Sequence, residues 1–183
     1  CKESSKDIPV NNTVLDYGMV NWYFTAFSLI GTPPENLKAE EVINSLQNYK
    51  CDQLIRYNSG TGLWVTYVKD KPFNNFYLKL GEGYIVRCEM NPNLSLVPYT
   101  GDDKPISIQL MNGWNVIGIP FLKKPISSSV LLDHEKIDAV ARLNPFTQEW
   151  IMDGNFQIYS GMAFAVRTTG SFTLSPEYYL HQD

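Results

Sequence analysis

The chain has 183 residues and a formal net charge of -4 at pH 7, and it is 44% hydrophobic, 13% aromatic and only 19% charged. A chain of this length can bury roughly 70% of its unfolded surface without help from a metal. The negative balance and the lack of any lysine or arginine run argue against a nucleic-acid partner. No apolar stretch approaches the about 20 residues of a membrane-spanning helix.

The first segment, residues 1–15, is polar and interrupted by proline, and we interpret it as a tether that contains an edge strand at residues 8–10. Cys1 and the polar run after it resemble the start of a mature bacterial lipoprotein. The resemblance implies a lipid on Cys1, which is the only membrane attachment expected. An intermolecular disulfide or an arbitrary chain end are the alternatives.

Residues 16–98 are predicted to form a β module. Its opening stretch, residues 19–30, is rich in aromatic and β-branched residues and indicates a buried strand. A helix is expected at 35–48, with Asn36 as its N-cap. Three strands follow at 53–57, 64–69 and 83–89, and a closing strand is expected near 94–98.

Two cysteines indicate a disulfide in this module. Cys51 begins one predicted strand and Cys88 ends another, and antiparallel neighbours bring such positions within bonding distance. The aligned positions in the second half of the chain are Ile137 and Thr168, so the two cysteines occur together. A Cys51–Cys88 bond would imply an oxidising environment. Two buried free thiols are the alternative.

The loop at residues 69–77 is the main candidate for recognition, because it is about six residues longer than its counterpart in the second half. Aromatic rings among asparagine amides suit the recognition of a saccharide or a protein. The alternative is a satellite core under the loop. The candidate binding residues here are Phe73, Asn74, Asn75, Phe76 and Tyr77.

A linker at 99–105 leads to residues 106–183, which we interpret as a second copy of the module. Residues 51–65 align without a gap on 137–151 with five identities, and 27–33, 81–87 and 94–98 align on 114–120, 161–167 and 172–176. The expected fold is therefore mainly β with a minor α content. Each copy would be a small five-stranded barrel or sandwich with one short helix, and the copies would pack side by side.

Other aromatic and charged residues recur between the copies or lie near the chain end. Trp64, Trp150 and Trp114 are interpreted as structural core residues, although stacking of Trp64 and Trp150 on a ligand is the alternative. Recurring arginines would pair with Asp52 or Asp138 on neighbouring strands. Tyr178 and Tyr179 are predicted to be exposed and to add to the binding residues.

Catalytic, metal and cofactor sites are not indicated by any motif in the sequence. The two histidines have no repeated carboxylate partner, and neither zinc-type nor EF-hand spacing occurs. We therefore expect a protein that is not an enzyme, with no cofactor. A small polysaccharide hydrolase that uses dispersed carboxylates is one alternative, since such a pair needs no local motif.

The motif at residues 112–120, Asn-Gly-Trp-Asn-Val-Ile-Gly-Ile-Pro, and the run Gly-Glu-Gly-Tyr-Ile-Val at 81–86 resemble the start and end of modules in secreted and cell-surface proteins of bacteria and archaea. The resemblance implies a non-catalytic appendage. We expect an extracellular or surface-anchored binding or adhesion protein that recognises a surface polymer, such as a glycan, or a protein. A fibre or surface-layer subunit that self-assembles by strand addition is the other alternative.

Overall fold

The computed structural model describes residues 22–100 and 104–180. The strands and helix of the first half are β1 (Tyr23–Ser28), α1 (Ala39–Ser45), β2 (Cys51–Asn58), β3 (Leu63–Val68) and β4 (Gly83–Cys88). Those of the second half are β5 (Ile108–Leu110), β6 (Gly113–Gly118), β7 (Ile126–Ser127), α2 (Ser129–Leu132), β8 (Ile137–Leu143), β9 (Trp150–Ile151), β10 (Gln157–Ile158), β11 (Ala163–Thr168), β12 (Phe172–Leu174) and α3 (Pro176–Leu180). Cys1, the tether and its edge strand lie outside the described residues.

Each half contains one four-stranded antiparallel sheet. The strand orders are β1-β4-β2-β3 and β6-β11-β8-β9. In each of these sheets, the strand that comes last in the chain lies between the two that come first. Two small sheets, β5 with β12 and β7 with β10, complete the second half. The mainly β prediction is confirmed. The prediction of a barrel is wrong, because both large sheets are open. Their edge strands are β1 and β3 in the first half and β6 and β9 in the second half.

Three local predictions differ from the structure. The helix α1 is shorter than expected, because Asn36 has a φ of 64° and the helix begins only at Ala39, where the Glu41 carboxylate accepts the Lys38 N–H at 2.8 Å. The expected closing strand at 94–98 is instead a 3-10 turn at Leu94–Leu96. The second half also ends in an unpredicted helix, α3, so it has more than one helix.

The two large sheets share a core between them. On β2, Leu54 faces the first half's own core under α1, whereas the next residue, Ile55, faces the shared core. On β11, Phe164 and Ala165 divide in the same way. Because successive side chains of a strand point to opposite faces, each sheet is covered on one face by its own half and on the other by the partner sheet.

The register of the central strands follows the sequence alignment, but that of the first strand does not. Ile55 lies opposite Ile85, and the aligned residue Ala141 lies opposite Ala165. In the first strands, Phe24 lies opposite Arg87 and Trp114 opposite Arg167. Trp114 therefore corresponds to Phe24 rather than to Phe27. The sequence alignment favoured the other register because the motif Ile-Gly-x-Pro occurs at both 30–33 and 117–120.

Candidate functional site

The loop between β3 and β4 is fixed to α1 and to β3 by hydrogen bonds. The Ala39 N–H donates to the Phe76 carbonyl at 2.9 Å, and the Leu78 N–H donates to the Leu37 carbonyl at 2.9 Å. Asn74, which has a φ of 60°, donates from Nδ2 to the Thr66 carbonyl at 3.1 Å. These bonds hold the loop in one position although it has little regular structure.

Asn75 ties the loop to the first turn of α1. Its Oδ1 accepts the Glu40 N–H at 3.1 Å, and its Nδ2 donates to Glu40 Oε2 at 3.0 Å. The predicted asparagines are thus brought to the site, but their amides are engaged in holding the loop. The two asparagines therefore form part of the wall of the site, and their amide groups offer few free donors to a ligand.

The aromatic residues of the loop divide between solvent and core. Phe73 and Tyr77 are 59% and 48% exposed, whereas Phe76 is 9% exposed and packs on Tyr84, with ring centroids 6.1 Å apart. Phe73 and Tyr77 therefore remain candidates for recognition. Phe76 instead belongs to the core of the first half, because its side chain turns under the loop while its neighbour Tyr77 faces outward. The Lys38 Nζ lies 5.3 Å from the Tyr77 ring centroid.

A cleft of about 400 Å³ opens beside this loop. It is lined by Glu40, Tyr67, Asp70, Lys71, Pro72 and Asn75. Burial raises the pKa of Tyr67, and the negative charges of Glu40 and Asp70 raise it further. The Tyr67 hydroxyl therefore stays protonated at neutral pH and can both donate and accept a hydrogen bond. The cleft combines carboxylates, an ammonium and a hydroxyl, and the exposed Phe73 follows its lining residue Pro72 in the chain.

Sequence reasoning missed Glu40 and Tyr67 as parts of this cleft. Glu40 belongs to α1 and Tyr67 to β3, and the fold brings them to the loop. The only signal in the sequence was that the loop directly follows the strand that carries Tyr67.

Tyr178 and Tyr179 are not an exposed aromatic pair. Tyr179 is fully buried, and its hydroxyl donates to the Ile106 carbonyl at 2.7 Å. Tyr178 is half-buried, with its hydroxyl donating to the Val130 carbonyl at 3.0 Å and its ring packed edge-on against His134. The prediction of exposure is wrong because α3 packs these side chains against the second half's core.

The three predicted core tryptophans lie in the core that the two large sheets share. Trp150 and Trp114 are 3% and 8% exposed, and Trp64 packs against the same cluster. The rings of Trp64 and Trp150 are stacked, with centroids 6.4 Å apart. They therefore join the two halves, instead of filling a separate core in each half.

The recurring charged residues and the cysteines have structural positions. The Arg87 Nε donates to Asp52 Oδ1 at 2.8 Å, and the Arg167 Nε donates to Asp138 Oδ1 at 2.9 Å, in agreement with the predicted pairing for these two arginines. Of the other two recurring arginines, Arg142 pairs instead with Asp153 at 2.9 Å, and Arg56 lies over the Phe76 ring. A disulfide joins Cys51 and Cys88, as the sequence predicts.

The part of the chain that the structure describes contains neither a metal cluster nor a membrane-spanning helix. There, no group of three or more His, Cys, Asp or Glu side chains is arranged to hold a metal ion. Over residues 22–100 and 104–180, none of the helices has the length and apolar character to cross a membrane. Comparisons with protein-family models, with curated proteins and with solved structures gave no match.

Proposed function

We propose that this protein is a non-catalytic, extracellular or surface-anchored protein that binds a glycan in the cleft beside Phe73. The observation that carries the proposal is a polar cleft whose walls are fixed by hydrogen bonds, with the exposed Phe73 following the lining residue Pro72 in the chain. A sugar ring has an apolar face of C–H groups and a rim of hydroxyls. An aromatic ring can pack against the C–H face, and carboxylates and a hydroxyl can form hydrogen bonds with the sugar hydroxyls.

The rigidity of the cleft supports binding, because little conformational entropy is lost when a ligand arrives. Glu40 and Asn75 bond to each other, and Asn74 bonds to β3, before any ligand is present. The cleft is partly open to solvent, so a glycan can reach its polar lining.

A duplicated β module is the architecture we propose for this binding protein, with copies at 16–98 and 106–183. The identical strand order of the two large sheets and the equivalent pairs Arg87–Asp52 and Arg167–Asp138 support a duplication. The Cys51–Cys88 disulfide supports an oxidising compartment outside the cytosol. The lipid on Cys1 remains part of this proposal, and it would hold the protein at the cell surface.

A glycan array followed by calorimetric titration of the best glycan tests the proposal. The variant Phe73→Ala should weaken binding about fivefold, since a stacked aromatic contact is worth about 1 kcal/mol. The matched control is Phe146→Ala, because Phe146 is 82% exposed and lies at the β8–β9 turn, away from the cleft. An array without any bound glycan, or a Phe73→Ala variant that binds as tightly as the wild type, would refute the proposal.

A polysaccharide hydrolase is the second candidate, since the carboxyl groups of Glu40 and Asp70 both line the cleft. The two functions separate when a bound glycan is incubated with the protein and its reducing ends are measured. Release of reducing ends that stops in Glu40→Gln or Asp70→Asn would establish hydrolysis. Binding without turnover would leave the non-catalytic function.

A further inference from the structure

A second and larger concavity, of about 930 Å³, lies near the linker between the two halves. Its apolar lining residues include Ile30, Tyr99, Phe121, Leu122, Ile126 and Leu180. A neighbouring cavity of about 260 Å³ shares Ile30, Tyr99 and Ser160 with it. We call the two together the junction groove. The larger cavity by itself falls within the roughly 300–1,000 Å³ typical of small-molecule sites.

The junction groove has a buried apolar floor and an exposed apolar rim. Ile126 and Leu29 are 6% and 2% exposed, whereas Tyr99 and Leu180 on the rim are 46% and 36% exposed. A ligand that covers the rim removes apolar surface from water, which favours binding. The groove therefore fits a ligand with an apolar body.

The serine side chains in the groove are already engaged. Ser160 Oγ accepts the Phe121 N–H at 3.1 Å, Ser28 Oγ donates to the Met162 carbonyl at 3.2 Å, and Ser95 Oγ bonds to Asn93 Oδ1 at 2.8 Å. A peptide or a sugar needs several free donors and acceptors along its length. The groove instead suits an alkyl chain, which needs none.

One wall of the groove carries two adjacent positive charges. Lys123 and Lys124 are exposed, and neither forms an ion pair within residues 22–100 and 104–180. They follow Phe121, a bulky residue with a φ of 62° whose N–H is held by Ser160. The turn thus places two ammonium groups beside the apolar floor, although the chain as a whole is acidic.

We propose that the junction groove binds an amphipathic anion, namely a long-chain carboxylate. Its alkyl chain lies along the floor formed by Ile30 and Ile126, and its carboxylate pairs with Lys123 and Lys124. This site is separate from the glycan cleft, which is lined by other residues of the first half.

Calorimetric titration with decanoate, below the concentration at which it forms micelles, tests the site. Binding should saturate at one carboxylate per chain. From octanoate to dodecanoate the affinity should rise, by at most about fourfold for each added CH₂ group. Decanol and decyltrimethylammonium should bind more weakly than decanoate. Failure of decanoate to saturate, or equal binding of decanol, would overturn the proposal.

The double variant Lys123→Glu/Lys124→Glu should bind decanoate about tenfold more weakly or worse, because it replaces attraction by repulsion. The control Lys71→Glu/Lys79→Glu has the same net charge and alters exposed lysines of the first half. It should bind decanoate like the wild type. An equal loss of decanoate affinity in both double variants would show a general charge effect and would refute the site. Wild-type affinity in Lys123→Glu/Lys124→Glu would also refute it. Phe73→Ala should leave decanoate binding unchanged, so failure of the glycan proposal does not affect this result.

Discussion

Gly118 lies directly against Ser28: a Cβ atom on Gly118 would be 1.9 Å from the Ser28 Cβ and 2.0 Å from its Oγ. The two residues end β1 and β6, opposite Gly83 and Ala163 on the central strands. Their backbones bond to the other half reciprocally, since the Ser28 N–H donates to the Gly161 carbonyl at 2.8 Å and the Gly118 N–H donates to the Gly81 carbonyl at 3.1 Å. The sheets therefore touch at a point where only one of two equivalent residues has room for a side chain.

Replacement of Gly118 by alanine should destabilise the protein by about 3 kcal/mol, since the new methyl group must displace Ser28 and the strand that carries it. Thermal or urea unfolding measures the loss. The control is Gly170→Ala, because no described atom lies within 4 Å of a Cβ placed there. The exchange Ser28→Gly/Gly118→Ser keeps one side chain at this point and should cost less than the sum of its single changes. Strict additivity would contradict this packing.

A second disulfide should form in Ile137→Cys/Thr168→Cys. These residues are paired in the second sheet as Cys51 and Cys88 are in the first, next to the same kind of register shift. Closing this loop should stabilise the native state by about 1–2 kcal/mol, after subtraction of the Thr168 hydrogen bond to the Met111 carbonyl and of the core contacts of Ile137.

Intact mass and thiol titration detect the new bond, and unfolding with and without reductant measures its effect. Removal of the natural bond in Cys51→Ala/Cys88→Ala should cost about 3–4 kcal/mol. Free thiols that persist in the engineered variant under oxidising conditions would show that the two sheets do not have equivalent strand ends.

The Trp64–Trp150 contact should couple the stability of the two halves. Trp150→Ala should destabilise the protein by about 3–5 kcal/mol, because its ring is almost fully buried. In a double-mutant cycle with Trp64→Ala, the coupling free energy should be about 1 kcal/mol. A cycle of Trp150→Ala with the exposed Phe73→Ala is the control and should be additive. Additivity in the tryptophan cycle would show that the rings do not interact.

Stability should fall steeply above pH 10 because of Tyr84. Burial of this fully enclosed ring, together with the negative charge of Glu82, raises the pKa of Tyr84 well above its ordinary value of 10.0. The unfolded chain then loses this proton as the pH passes 10 while the native state retains it. The free energy of unfolding therefore falls, by about 1.4 kcal/mol per pH unit for this group.

The variant Tyr84→Phe separates the tyrosine from other alkaline effects. At pH 7 it should be less stable by about 1–3 kcal/mol, because the Lys79 N–H loses its acceptor, the Tyr84 hydroxyl, which lies at 2.7 Å. Between pH 10 and 11 its stability should fall less than that of the wild type, as urea unfolding at each pH measures. Parallel curves for the two proteins would contradict the assignment to Tyr84.

The pattern of neighbouring residues was sufficient to predict three strands of the first half and the disulfide. The predicted strands at 53–57, 64–69 and 83–89 match β2, β3 and β4 to within about two residues, and the position of Cys51 and Cys88 at strand ends indicated their bond. The closing strand at 94–98 failed because a strand needs a partner. In the second half β12 pairs with β5, whereas the first half forms a 3-10 turn there.

Only part of the candidate site could be predicted from the sequence. The length of the loop and its aromatic residues located Phe73 and Tyr77, but the same pattern could not tell them from Phe76, which the fold turns into the core. The cleft needed Glu40 and Tyr67, and the junction groove needed residues about 150 positions apart, from Ile30 to Leu180.

The sequence by itself determined that the chain is mainly β, that its segments recur, and that two cysteines pair, because alternation, turn chemistry and strand ends are properties of neighbouring residues. Only the tertiary structure decided that the sheets stay open and share a tryptophan core, that Ser28 meets Gly118, and where clefts form. Those features arise from the packing of one sheet face against another, and side chains far apart in the chain compete for that space.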